Sequence, residues 1–142
     1  GGSVSHEPAM NIDIYPTLTR LAGSRLPTSH VVDGKNILPL LANGENTPHE
    51  ALLLFNNDRI AGVRSGRWKL VVESFYRTAI SSFDNASSYY APNGLLFDLE
   101  KDPSETYSYT RENPSVATRL RKLLEAGQEE FSSAVLPDMW NR

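Results

Sequence analysis

The sequence predicts an α+β fold, in which a small antiparallel sheet of about four strands is packed by a C-terminal helix and preceded by a helical segment. Three observations lead to this prediction. Short apolar runs separated by turn residues lie between positions 51 and 99. A long amphipathic pattern follows them after Asn113-Pro114, and a shorter helical pattern, about Met10–Ala22, precedes them.

The first helical pattern contains a proline that divides it. Its apolar positions, which we expect on one buried face, are Ile12, Tyr15, Leu18, Leu21 and Ala22. We expect a short turn ending near Ile14 and a new helix that holds Pro16 in its first turn, where the missing N–H costs little. Gly23 is a typical helix stop.

A loop and a second short helix are predicted to follow. The loop covers residues 24–35 and is expected to close with a tight turn at Asp33-Gly34. Residues 36–42 then indicate a short helix or turn, which Asn43-Gly44 ends.

Four strands and one hairpin are predicted next. The strands are Ala51–Phe55, Arg59–Arg64, Arg67–Glu73 and Leu95–Leu99. Ser65-Gly66 is expected to be the two-residue hairpin loop. Trp68, Leu70 and Val72 alternate with more polar residues, which predicts one apolar face for the third strand.

The last helix is predicted to cover this sheet, since three or four strands need cover on one face. Its apolar stripe comprises Val116, Ala117, Leu120, Leu123, Leu124 and Gly127. Its outward positions are Arg119, Arg121, Lys122 and Glu125. Asn113 is the expected capping residue, with Pro114 at the first helical position.

Composition excludes several classes of function. The 142 residues carry a net charge of −3 with scattered basic residues, so we expect no nucleic-acid partner. No apolar run approaches the roughly 20 residues that span a bilayer, so no membrane partner is expected. The absence of cysteine excludes a cysteine nucleophile and thiolate metal ligands within this chain.

An acidic cluster after the fourth strand invites a calcium interpretation. The cluster is Asp98, Glu100, Asp102 and Glu105. An EF-hand loop that began at Asp98 would need glycine at its sixth position and glutamate at its twelfth. Those positions hold Pro103 and Tyr109, so the EF-hand motif is excluded. We expect these carboxylates to cap a turn that ends the strand. His6, His30 and His49 have no metal-ligand spacing and are expected to be solvated or hydrogen-bonded loop residues.

Three blocks, in order, resemble the C-terminal part of the sulfatase family, in its arylsulfatase-type branch. The first runs from Glu7 to Gly23 with an Asp-x-x-Pro-Thr-Leu helix and continues through the Asp-Gly segment 33–41. The second is the Arg-Ser-Gly-Arg-Trp-Lys-Leu hairpin within 62–70, and the third is the Phe-Asp-Leu-x-x-Asp-Pro-x-Glu strand and turn within 96–105. The likeness covers about residues 7–126.

The resemblance implies an organisation for the chain. Residues 1–48 would be the tail end of the large α/β sulfatase domain, so the N-terminal helical segment would belong to that domain. Residues 49–131 would be the C-terminal sheet with its covering helix, and 132–142 a tail. Ser74, Tyr76 and Arg77, in the long segment after the third strand, are the candidate substrate-binding residues. Arg77 would pair with an anionic sugar or a second sulfate.

The resemblance also implies what this chain lacks. Sulfatases hydrolyse sulfate esters with a formylglycine made from a Cys/Ser-x-Pro-x-Arg motif and with a bound Ca²⁺. The chain contains neither that motif nor the family's metal motif. We therefore expect no catalytic and no metal residue here, with Ca²⁺ and formylglycine in the intact enzyme. The expected partners are the N-terminal catalytic part and, in the intact enzyme, a sulfate-ester substrate. A periplasmic, secreted or lysosomal location is typical of intact members.

Two functions therefore remain open. One is a C-terminal fragment of a sulfatase that completes the fold and part of the substrate cleft without being catalytic by itself. The alternative is a free-standing, non-catalytic binding or interaction module derived from the same subdomain. The apolar face of the first helix distinguishes the two functions. A fragment is expected to leave that face exposed, whereas a free-standing module is expected to cover it.

Overall fold

The computed structural model describes residues 2–56, 59–72 and 94–134, without the side chains of 133 and 134. Its contacts divide the chain into two compact units, Gly1–Glu50 and Ala51–Arg142. The predicted domain boundaries stay predictions. Among the described residues, no helix is long and apolar enough to cross a membrane.

The first unit contains one 3₁₀ turn and two helices. The 3₁₀ turn is Asn11–Asp13, α1 is Ile14–Leu21 and α2 is Leu38–Asn43. The predicted restart near Ile14 is confirmed, and Pro16 is the third residue of α1, where its missing N–H would have no helical partner. Gly23 and Gly44 end the two helices with φ of 67° and 70°, a conformation that glycine adopts without steric cost.

The prediction for the buried face of α1 is wrong for this chain. Ile12, Tyr15, Leu18 and Leu21 are 42–58% exposed. The buried positions around α1 are instead Asp13, Pro16 and Thr17. The physical reason is that the inward side of α1 is engaged by hydrogen bonds to Asp13 and Thr17, so the apolar stripe faces away from its own unit.

The predicted tight turn at Asp33-Gly34 is also wrong, since no turn is formed there. Gly34 instead lies directly against the backbone of the 3₁₀ turn. A Cβ atom at this position would stand 2.1 Å from the carbonyl oxygen of Ile12. The glycine is therefore required by close backbone approach rather than by a turn.

The second unit contains an antiparallel sheet with strand order β1-β2-β3-β4. The strands are β1 Leu52–Asn56, β2 Arg59–Ser65, β3 Trp68–Val71 and β4 Leu95–Asp98. Ser65 pairs with Trp68, so the hairpin loop is Gly66-Arg67, one residue later than predicted. Gly66 has φ of 56°, and the loop takes the register in which this glycine occupies a central turn position.

The C-terminal helix α3, Pro114–Ala134, packs on β2 and β3. The α+β prediction is confirmed, and so is the apolar face of β3. The buried core consists of Ile60, Val63, Leu70, Leu96, Ala117, Leu120 and Leu124, with Trp68 and Val72 packed against it. Gly127 completes the stripe, since a Cβ there would stand 2.5 Å from Leu53 Cδ1.

Candidate functional site

The first polar centre of the molecule surrounds Asp13, which is fully buried in the first unit. Asp13 Oδ2 accepts the N–H of Met10 at 2.8 Å, and Oδ1 accepts the N–H of Lys35 at 2.8 Å. His49 Nε2 lies 2.9 Å from both carboxylate oxygens. These four residues form the Asp13 centre. The carboxylate is thus surrounded by hydrogen-bond donors from three separate segments.

Thr17 extends the Asp13 centre by one helical turn. Its hydroxyl donates to the carbonyl oxygen of Asp13 at 2.6 Å and accepts the N–H of Ile37 at 3.0 Å. The Asp and Thr of the Asp-x-x-Pro-Thr-Leu motif therefore connect α1 to the segment before α2. This structural connection accounts for the Asp and the Thr of the motif without a catalytic role for either residue.

Opposing effects act on the pKa of the Asp13 carboxyl. Burial is the largest and raises the pKa, whereas the N–H groups of Lys35 and Met10 and the ring of His49 lower it. The net pKa lies below the usual value, so Asp13 is a carboxylate near neutral pH. His49 is a buried loop residue that is hydrogen-bonded to Asp13, as predicted for a hydrogen-bonded loop histidine.

The second polar centre lies at the end of β4 in the second unit. Asp98 is buried and pairs with Arg67 Nη2, while Arg67 Nη1 lies 2.9 Å from Glu100 Oε2. The guanidinium also lies 5.3 Å from the ring centroid of Trp68. Burial raises the pKa of Asp98, but the Arg67 guanidinium and neighbouring N–H groups outweigh it, and the net pKa is lowered.

The other carboxylates of the predicted acidic cluster organise the turn after β4. Asp102 Oδ2 accepts the N–H groups of Thr106 at 2.6 Å and Tyr107 at 2.9 Å. Glu105 Oε1 accepts Lys69 Nζ at 2.7 Å. The prediction that these carboxylates cap a turn is confirmed for Asp98 and Asp102, whereas Glu100 and Glu105 form ion pairs with Arg67 and Lys69.

The described part of the chain contains no group of three or more His, Asp or Glu residues that could hold a metal ion. The carboxylate of Asp13 already accepts hydrogen bonds from its neighbours, and the carboxylate of Asp98 is already paired with the Arg67 guanidinium. Neither carboxylate is therefore available to bind a metal ion. The described residues therefore do not fit a Ca²⁺ site. With no cysteine in the sequence, the chain does not fit the cysteine route to formylglycine.

Ser74, Tyr76 and Arg77 lie outside the described residues, so their substrate-binding role stays a prediction. His30 Nδ1 lies 3.2 Å from the hydroxyl of Ser29 on the surface.

Sequence reasoning missed two long-range contacts, the hydrogen bond between Asp13 and His49 and the ion pair between Arg67 and Asp98. One signal for the first was available, because Asp13 stands between Ile12 and Ile14 inside an apolar helical pattern. A charged residue there is rarely tolerated without buried partners. For the second, Arg67 was placed on the polar face of a strand, and its sequence shows no sign of a partner 31 residues away.

The comparisons with known proteins agree with this fold. Residues 47–138 match the family model described as the C-terminal region of aryl-sulfatase. The chain is 31% identical to arylsulfatase H of Canis lupus familiaris, covering 96% of the chain and 27% of that protein. It is 31% identical to steryl-sulfatase of Mus musculus, covering 88% of the chain and 22% of that protein. The chain belongs to the sulfatase family, as the three sequence blocks indicated.

Solved structures extend the same likeness. One comes from work on glycosaminoglycan metabolism by Bacteroides thetaiotaomicron, with a TM-score of 0.61 and 26% identity over 82% of this chain and 24% of the other. A second, in complex with its substrate D-glucosamine-2-N,6-O-disulfate, has a TM-score of 0.59 and 23% identity over 94% of this chain and 26% of the other. The second shows the fold alone. The chain thus spans about a quarter of the length of the relatives it matches.

Proposed function

We propose that the chain is a C-terminal fragment of a sulfatase, a sulfuric ester hydrolase, and that it completes the fold and part of the substrate cleft without being catalytic by itself. The observation that carries the proposal is the match of nearly the whole chain to only a quarter of its relatives. The partner is then the N-terminal catalytic part of the same enzyme, and the substrate of the intact enzyme is a sulfate ester.

The state of the polar side chains supports a non-catalytic role. Asp13, His49 and Asp98 are buried and their charged or polar atoms contact partners inside the chain. A general acid or base must have an atom within hydrogen-bond reach of a substrate, and Asp13 and Asp98 are only 0% and 1% exposed. We therefore place the formylglycine nucleophile and the Ca²⁺ that would balance sulfate charge in the part of the enzyme outside this chain.

The exposed apolar face of α1 supports a fragment over a free-standing module. Ile12, Ile14, Tyr15, Leu18 and Leu21 are each 42–58% exposed, and together they form a contiguous helical stripe. A stable independent module is expected to cover such a surface, because burying it is favourable by about 25 cal/mol per Å². The α/β domain that precedes this region in the family is the expected cover.

The substrate-cleft role rests on Ser74, Tyr76 and Arg77, with Arg77 as the expected contact to an anionic group. A guanidinium binds a carboxylate or sulfate through two parallel hydrogen bonds, which would fix the orientation of the substrate beyond the scissile ester.

Two experiments test the proposal. The reading frame upstream of Gly1 is expected to encode a Cys/Ser-x-Pro-x-Arg motif, and its absence from that frame would favour the free-standing module. The purified 142-residue chain is expected to show no turnover of an aryl sulfate, whereas the protein that includes the upstream part hydrolyses it. Turnover by the chain alone would refute the non-catalytic role.

A further inference from the structure

A cavity of about 420 Å³ in the first unit has a lining with an unusual balance of charge. It lies between α1 and the segment that leads to α2. Three basic residues, Arg20, Arg25 and Lys35, line it, and no acidic residue within the described ranges does. In a chain with a net charge of −3, this is a local concentration of positive charge.

The backbone around this cavity positions two of the basic residues, Arg20 on α1 and Lys35 beside Gly34. Pro16 and Arg20 lie four residues apart on α1 and so share one helix face, which forms one side of the cavity. Pro16 and Gly34 are buried lining residues, and Gly34 is held against the backbone of Ile12. Lys35 is anchored next to it, because its N–H is bonded to Asp13. The cavity is therefore attached to the Asp13 centre.

The end of α1 does not repel an anion as an open helix C-terminus would. The carbonyl groups of Leu18, Thr19 and Arg20 accept the N–H groups of residues 22–24 at 2.9–3.1 Å. Because these oxygen atoms are already hydrogen-bonded, the negative end of the helix dipole is partly compensated before any ligand arrives.

The basic side chains retain donors for a ligand. Within the described residues, neither Arg20 nor Arg25 forms an ion pair or a side-chain hydrogen bond. Lys35 Nζ donates to the carbonyl oxygen of Pro48 at 3.1 Å, which uses one of its three protons. Ser24 also lines the cavity, and a serine hydroxyl can act as a neutral donor.

We propose that this cavity binds a tetrahedral oxyanion, sulfate or phosphate, either free or as an ester on a small molecule. Two guanidinium groups offer paired donors that match the oxygen atoms of such an anion, and the ammonium group of Lys35 adds a third positive charge. The cavity volume lies within the range of about 300–1,000 Å³ that small-molecule sites occupy, so an attached organic group fits beside the anion. This site goes beyond the proposed function and does not depend on it.

The test is an NMR titration of the ¹⁵N-labelled 142-residue chain. Sodium sulfate is added at constant ionic strength, with sodium chloride as the reference, while the amide signals of Ser24, Gly34 and Lys35 are followed. Saturable shifts in the millimolar range are expected for sulfate and not for chloride. Sodium phosphate and a sulfated monosaccharide are titrated next, and the tighter ligand tells whether the free ion or its ester is preferred.

Four variants determine whether the cavity is the binding site. Arg20→Gln and Arg25→Gln are each expected to weaken sulfate binding by about tenfold, the loss of one charge-assisted hydrogen bond. Arg119→Gln, which removes an exposed arginine on α3, is the matched control and is expected to leave binding unchanged. Arg20→Lys keeps the charge but loses the paired donors, and a smaller loss is expected.

Two results would overturn the oxyanion site. One is an equal response to chloride and sulfate. The other is sulfate binding that is unchanged in Arg20→Lys, Arg20→Gln and Arg25→Gln, each with the dispersed amide spectrum of the parent chain. Neither result bears on sulfatase activity, so this proposal and the proposed function fail separately.

Discussion

Replacing Asp13 by alanine removes the acceptor that joins the 3₁₀ turn, the segment before α2 and His49. Three buried or half-buried donors lose their partner: the N–H groups of Met10 and Lys35, and the ring N–H of His49. Each donor left without a partner costs about 1–3 kcal/mol, so the sum is about 3–9 kcal/mol. A whole domain is stable by only about 5–15 kcal/mol, so we expect the first unit to unfold or become highly dynamic.

The assay is native-state hydrogen exchange of the amide groups of Met10, Lys35 and Ile37, together with urea unfolding. Exchange at all three is expected to accelerate strongly in Asp13→Ala. Asp33→Ala removes an exposed carboxylate two residues before Lys35 and serves as the control, with an expected change within about 0.5 kcal/mol. A loss below about 1 kcal/mol in Asp13→Ala would refute the idea that this carboxylate holds the first unit together.

Three further predictions address the core, acid stability and substrate binding. Leu120→Ala is expected to lower the free energy of unfolding of the second unit by about 2–5 kcal/mol in urea unfolding, because Leu120 is fully buried. Leu41 is 67% exposed, so Leu41→Ala serves as the control and is expected to change the free energy of unfolding little. The pKa values of Asp13 and Asp98 are lowered in the folded state, so their contribution is fully present above the ordinary value of 3.8 and is lost as the pH falls through the folded values. Unfolding followed by circular dichroism should therefore begin as the pH approaches that value, and stability that is constant down to pH 2 would contradict the reasoning. In the intact enzyme, Arg77→Gln is expected to raise KM for a multiply anionic substrate with little change in kcat, and an unchanged KM would remove Arg77 from the cleft.

The local elements were predictable because each depends on residues close in the chain. The apolar stripe of α3 repeats at helical spacing, and Trp68, Leu70 and Val72 alternate at strand spacing, so both buried faces were predicted and observed. The stop at Gly23 and the proline at the start of α3 are likewise signals within a single turn. The family could be inferred at this level, because its motifs are short blocks of adjacent residues.

The polar centres were not predictable in this way, because their partners lie far apart in sequence. His49 meets Asp13 across 36 residues, and Arg67 meets Asp98 across 31. Nothing in the spacing of either pair distinguishes it from other combinations of acidic and basic residues. The hairpin loop at Gly66-Arg67 was one residue off for a related reason, since register depends on which cross-strand pairs bury their side chains.

The sequence by itself therefore determined the class of fold, the order of its elements and the sulfatase family. Those properties follow from periodicity and from turn chemistry, which act over a few residues. Only the tertiary structure decided that the motif aspartate is a buried anchor, that the apolar face of α1 is uncovered and that three basic residues share one cavity. The physical reason is that burial and charge pairing depend on which distant segments meet, and that is a property of the folded chain.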